Sequence, residues 1–172
     1  MSRAVNSKYW DEELETLPRE ELEKRQLEDL KEIVKFAYDN APYYKRSFDE
    51  AGVKPGDIKE LSDIEKFPFV DKKTQRDTQG VGSFLGELCA VPEEDVVFIS
   101  TSSGSTGVPT VSPFTKKDFD EFQETESRWF WQIGMRPKDR FTLEALTLSE
   151  LRTSVHYVSG AELFQVKDSY LY

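Results

Sequence analysis

The twelve residues ISTSSGSTGVPT, Ile99 to Thr110, limit what this chain can fold into more than any other stretch. Hydroxyl-bearing residues and glycine dominate it, so it can neither sustain a helix nor supply core. On either side lie short β-rich runs, Val96–Ser100 and Thr110–Phe114. Two strands joined by a turn-forming loop are therefore predicted. Pro113 has no N–H for a ladder, which places that end of the second strand at a sheet edge. Thr115 then stands where a helix N-cap is favoured. Phe119, Phe122, Trp129, Phe130 and Ile133 follow at helical spacing, with Gly134 as terminator, and predict a helix with that apolar face in the core. FTLEAL, from Phe141, is a further candidate strand. Strand, loop, strand, helix and strand in that order predict mixed α/β architecture after residue 90.

The chain before residue 90 is helical and acidic in character. Thr16-Leu17-Pro18 opens a long helix, with proline at the first helical position, where a missing N–H has no partner to lose. Glu20 and Glu21 suit the positive end. Leu22, Leu27, Leu30, Ile33, Val34 and Ala37 form one apolar stripe that runs to Asn40. Pro42 starts a second helix, with Gly52 as its C-terminal cap. Ser62 and Glu65 have capping-box spacing for a short third helix, and another short helix follows Asp71. The organisation expected is a mainly helical segment, 1–90, followed by an α/β subdomain, 91–172, that carries the Ser/Thr/Gly loop.

Composition narrows the class. Aromatic residues make up 13% of the 172 and argue for a folded chain, because they carry large burial terms. A net charge of -10 opposes nonspecific attraction to nucleic acid or to an anionic membrane. No run approaches the ~18 apolar residues of a membrane span, and the first residues lack the apolar core of a signal peptide. With Cys89 as the only cysteine, no intrachain disulfide is possible. A cytoplasmic protein is expected. Cys89 reads as a core thiol, Lys72, Lys73 and Arg76 as a solvated helix face, and the single histidine, His156, as a structural or surface residue.

Three properties of Ser102, Ser103, Gly104, Ser105, Thr106 and Gly107 act together. Glycine permits positive φ and close approach of a ligand to the backbone. Successive N–H groups in such a turn can converge as an anion nest. Hydroxyls add donors that rotate to meet phosphate oxygens. On these residues alone the loop is either a phosphate cradle or a surface hairpin loop. It is not a Walker A loop, since Val108 and Pro109 follow Gly107 where that pattern needs lysine and a hydroxyl residue.

The segment SSGSTGVPT resembles the phosphate-binding signature of the adenylate-forming ligases. YWDEELETLPREEL, AYDNAPYYKRSFDEAGV, IEKFPFVDKKTQRD and CAVPEEDVVFISTSSGSTGVPT resemble the N-terminal part of the phenylacetate–coenzyme A ligases, from about Tyr9 to about Asp139. The resemblance implies ATP, Mg²⁺ and coenzyme A as cofactors and a small aromatic or other carboxylic acid as substrate. It implies formation of an acyl-adenylate and then a thioester. Ser102, Ser103, Gly104, Ser105, Thr106 and Gly107 would cradle the β- and γ-phosphates. Val108 stands where many relatives carry lysine. His156, Tyr157, Gly160, Ala161 and Glu162 match the relatives' next motif only with Val158 and Ser159 inserted. No catalytic residue and no metal ligand is assigned.

Family members are more than twice as long, and their adenine-, ribose- and magnesium-binding motifs find no match in this chain. A partial or truncated member is expected, inactive without the remaining portion or a partner chain, and a homo-oligomer is expected from the apolar surface that the missing portion would cover. Two alternatives stand beside it. One is a non-catalytic module that self-associates through the WFW segment at 129–131. The other is a relative of the synthetases that adenylylate a deazaflavin.

Overall fold

The computed structural model describes residues 7–102, 109–136 and 139. Outside them lie Ser103 to Val108, the FTLEAL segment and the stretch holding His156, Tyr157, Gly160, Ala161 and Glu162. Among the described residues the elements are α1 (Glu12–Glu15), α2 (Arg19–Asn40), α3 (Pro42–Ala51), α4 (Lys72–Thr78), β1 (Val96–Thr101), β2 (Val111–Thr115) and α5 (Lys116–Gln132), with short 3₁₀ turns between. Mixed architecture is as expected, helix-rich with one small two-stranded sheet. The chain forms two compact units. One is Leu17–Pro113. The other joins the residues up to Thr16 with those from Phe114 onward.

In the Leu17–Pro113 unit the long helix forms as predicted, with one shift at its start. Pro18 is the N-cap, with extended ψ of 146°, and Arg19 is the first helical residue. Ala41, which precedes Pro42, is extended, because the proline ring disfavours helical geometry one residue earlier. That break separates α2 from α3. Gly52 closes α3 with φ of 71°, a left-handed conformation that a Cβ would strain. Val34, Phe48, Ile58 and Phe67 form the core, with Leu27, Leu30, Tyr38, Tyr44 and Val53 packed against it. Phe48 meets Phe67 edge-on at 4.9 Å. Ile33 departs from the predicted stripe and is 57% exposed. It lies about 100° around the helix from Val34, outside the face that the core covers here.

The helix expected over Ser62–Glu65 is instead a 3₁₀ segment, Leu61–Lys66, capped two residues earlier. The Asp63 carboxylate accepts the N–H groups of Lys59 and Glu60 at 2.6 and 2.9 Å, and Lys66 Nζ at 2.6 Å. Ser62 Oγ donates to Glu60 Oε1 at 2.7 Å. A buried carboxylate with three donors outcompetes a serine cap. Asp71 caps α4 as expected, accepting the Thr74 N–H at 2.7 Å. Lys72, Lys73 and Arg76 are exposed, and Lys73 pairs with Asp77, as a solvated face should. Cys89 is half-buried rather than core. Its Sγ–H donates to the Val91 carbonyl at 3.3 Å, which holds it in a surface turn.

β1 and β2 pair in a two-stranded sheet. Their connection, Ser102 to Thr110, is too short for a parallel crossover, so the pair is an antiparallel hairpin. Val97 and Ile99 point outward along β1 at 43% and 42% exposure.

In the other unit Thr115 and Asp118 form a reciprocal capping box at the start of α5: the Thr115 N–H reaches Asp118 Oδ2 at 2.9 Å, and the Asp118 N–H reaches Thr115 Oγ1 at 3.2 Å. Of the predicted apolar face Phe130 is buried as expected, but Trp129 and Ile133 are 48% and 57% exposed, and Ser127 and Trp131, which the stripe did not include, are buried. The reason lies at the other end of the chain. Trp10 packs edge-on against Trp131 at 5.5 Å, and its indole N–H donates to Glu124 at 2.8 Å. Trp131 donates to the Ser7 carbonyl at 3.0 Å, and the Arg136 guanidinium lies 3.9 Å over its ring. Glu124, Ser127 and Trp131 share one helical face, and Ser7 and Trp10 meet it at Trp131 and Glu124. No helix among the described residues is long and apolar enough to cross a membrane.

Candidate functional site

The Ser/Thr/Gly segment is described at both ends of its stem. Thr101 completes β1, and Ser102 turns out of it. The Ser102 N–H donates to the Thr110 carbonyl at 3.0 Å, and Ser102 Oγ accepts the Thr110 N–H at 2.9 Å. One residue thus takes both backbone groups of Thr110, which is 6% exposed. A hydroxyl that accepts still has its own proton to give. Of the six residues predicted to hold phosphate, Ser102 is therefore placed at the mouth of the hairpin loop. Ser103, Gly104, Ser105, Thr106 and Gly107 lie outside the described residues, with Val108.

Beside the returning strand stands the C-terminal end of α4. Gln79 Nε2 donates to the Pro109 carbonyl at 3.1 Å, and Gln79 Oε1 accepts the Val111 N–H at 2.8 Å. Gln75 Nε2 donates to the Val111 carbonyl at 3.3 Å. Neither glutamine stood out in the sequence. The usable signal was the pair at spacing four near the end of a helix, facing one side.

The end of α4 is itself held. Gly86, at φ of 78°, brings its backbone so near that a Cβ would lie 2.5 Å from the Thr78 carbonyl oxygen and 2.8 Å from Gln79 Cα. The N–H groups of Val81 and Glu87 donate to that carbonyl at 3.3 and 3.2 Å. The Glu87 carbonyl in turn accepts the Tyr43 N–H at 3.1 Å. Arg46 grips the Glu87 carboxylate with both nitrogens at 3.0 and 2.9 Å. The Arg46 guanidinium, by hydrogen bond and then by charge, holds Glu87 below the ordinary carboxylate range against its partial desolvation. An unbroken set of contacts therefore runs from α3 through Glu87 and the end of α4 to the hairpin stem.

No group of three or more histidine, cysteine or acidic side chains able to hold a metal occurs among the described residues.

No family model matches the chain. Over 125 residues, 73% of its length, it is 44% identical to the phenylacetate–coenzyme A ligase of Thermus thermophilus, covering 27% of that protein. It is 43% identical over 127 residues to the enzyme of that name from Escherichia coli, covering 28% of it. The chain thus spans little more than a quarter of these relatives. Among solved structures, a 2-hydroxyisobutyryl-CoA ligase in complex with 2-HIB-AMP in the postadenylation state superposes with a TM-score of 0.74 at 28% identity. The alignment covers 91% of this chain and 34% of that one. The same ligase with 2-HIB-AMP and CoA in the thioesterification state gives 0.75 at 29% identity.

Proposed function

Because the chain belongs to the phenylacetate–coenzyme A ligase family, as its N-terminal portion, we propose that it supplies the triphosphate-binding loop of an ATP-dependent, adenylate-forming acid–CoA ligase. In this reaction a carboxylate oxygen of the substrate attacks the α-phosphorus of ATP and pyrophosphate leaves. The coenzyme A thiol, losing its proton, then attacks the acyl carbonyl and AMP leaves. The acid is a small carboxylic acid, an aromatic one if the named relatives are followed.

Backbone N–H groups and hydroxyls of Ser102, Ser103, Gly104, Ser105, Thr106 and Gly107 would bind the β- and γ-phosphates. They would orient the chain for in-line attack and stabilise the charge that builds on pyrophosphate as it departs. Bound Mg²⁺ would neutralise part of that charge; no described residue is assigned to it. Val108 puts an apolar side chain where a lysine would add a point charge, so affinity rests on the nest. The observation that carries the reading is the stem: Ser102 and Thr110 close the loop at both ends of the signature.

With little over a quarter of the relatives' length, the chain does not complete adenylation by itself in this reading. It works with the rest of the ligase, in the cytoplasm. Pyrophosphate exchange with phenylacetate and ATP tests this. The expected result is no exchange by the chain alone and exchange once the remaining portion of a relative is supplied in trans. Mg–ATP binding is expected from the chain alone, raising its Tm by about 5 °C or more at a hundredfold excess over Kd. A flat melting profile would remove the phosphate role.

The exposed Trp129 on α5 and Ile133 at its C-cap favour a second reading, a self-associating module. Phe130 and Trp131 are spent inside their own unit, so a contact through the C-terminal end of α5 rests on Trp129 and Ile133.

A further inference from the structure

We propose that Gln79 is a positioning residue for nucleotide binding: its side-chain amide acts as a surrogate strand that fixes the returning arm of the Ser/Thr/Gly hairpin. The proposal rests on the phosphate-loop reading above and adds a residue outside the signature to it.

The returning arm has unusually complete partners. Thr110 gives both backbone groups to Ser102. The groups flanking it, the Pro109 carbonyl and the Val111 N–H, go to the two ends of one Gln79 amide at 3.1 and 2.8 Å. The Val111 carbonyl goes to Gln75 at 3.3 Å. From Pro109 O to Val111 O every backbone donor and acceptor is taken, although the sheet has only two strands among the described residues. An amide that accepts from one N–H and donates to a carbonyl two residues earlier takes the groups a residue of a neighbouring strand would take. Only one orientation of the amide satisfies both contacts, because Oε1 cannot donate and Nε2 cannot accept. Among side chains of this length, only glutamine carries a donor and an acceptor in one planar group. Glutamate would keep the Val111 contact and set a carboxylate against the Pro109 carbonyl.

The position of that amide is determined from behind. Gln79 is the C-cap of α4, with extended backbone at φ of -66° and ψ of 132°. The close approach of Gly86 and the bonds from Val81 and Glu87 to Thr78 O anchor the residue before it. Hence the arm that leaves the loop is held to a helix that neither strand belongs to. An anion nest binds more tightly the less its N–H groups must be ordered by the ligand, and holding one arm lowers the ordering that binding must otherwise supply.

The experiment compares wild type, Gln79→Leu, Gln79→Glu and Val34→Ala. The last removes a core contact away from the stem and serves as a stability-matched control. Two measurements are made well below every Tm: hydrogen exchange of the Val111 amide without nucleotide, and Mg–ATP affinity by calorimetry. In Gln79→Leu the Val111 amide should exchange about tenfold faster than in wild type, and Mg–ATP should bind about tenfold more weakly. Gln79→Glu should keep more of the Val111 protection yet bind as weakly as Gln79→Leu. Val34→Ala should leave both values within about twofold of wild type, because its effect is on global unfolding.

Unchanged Val111 exchange in Gln79→Leu would overturn the clamp whatever the nucleotide does. Faster exchange with affinity no weaker than that of Val34→Ala would overturn the positioning role while leaving the phosphate loop intact. Wild type that protects Val111 but binds no Mg–ATP would overturn the phosphate reading, and the proposal with it.

Discussion

Asp63 shows how one side chain can decide a local conformation. Its carboxylate is held well below the ordinary carboxylate range, first by the Lys66 hydrogen bond and then by the Glu60 and Lys59 N–H groups, against the cost of burial. A folded-state value below the ordinary ~3.9 means that its contribution is fully present above about pH 4 to 5. That contribution is lost as pH falls toward the folded-state value. The Tm difference between wild type and Asp63→Ala should therefore be largest near pH 7 and shrink steadily on acidification to pH 3; a constant gap would show that the ionised form is not what matters. Gly86→Ala should be more damaging than its size suggests. It places a Cβ 2.5 Å from a carbonyl oxygen at φ of 78°, and about 2 kcal/mol or more of stability should be lost in denaturant titration. Neither effect is visible in sequence, because Ser62 offered a competing cap of the right spacing and Gly86 looks like any other loop glycine. Gln75 and Gln79 carry only a weak signal: their spacing of four puts both on one side at the end of α4, but nothing in the sequence names the strand that side serves.

At the scale of elements, boundaries followed local chemistry closely. Pro42, Gly52, Asp71 and Thr115 each start or stop a helix where their backbone preferences require. Thr115→Ala should cost about 1 kcal/mol and lower Tm by about 2–4 °C, since it removes one half of a reciprocal cap. Faces were less legible than ends. Helical spacing predicts Phe119, Phe122, Trp129, Phe130 and Ile133 as the inner face; Phe130 is buried, but Trp131 and Ser127 turn inward in place of Trp129 and Ile133, and Ser7 and Trp10 return to meet Trp131. α1 escaped notice for a related reason. Its four residues, Glu12 to Glu15, show no apolar period and are fixed by Asp11 and Glu15 through backbone N–H bonds at 3.0 and 2.8 Å. Contacts between residues more than a hundred positions apart leave no trace in a window of helical length.

For the whole molecule, a net charge of -10 keeps copies apart unless a local apolar contact outweighs it. Trp129 on α5 and Ile133 at its C-cap are the exposed apolar side chains at this helix end able to supply one. Light scattering at micromolar protein should show an oligomer, and Trp129→Glu combined with Ile133→Glu should return the monomer mass. A monomeric wild type would remove the self-association reading.

The tryptophans offer a further opportunity. The chain has three, Trp10, Trp129 and Trp131, and all fall in the unit built from its two ends; Leu17–Pro113 has none. Indole emission is therefore a private reporter of one unit, while α2 and α3 dominate the far-ultraviolet ellipticity of the other. Superimposable melting curves from the two optical signals would mean that both halves unfold as a single cooperative body.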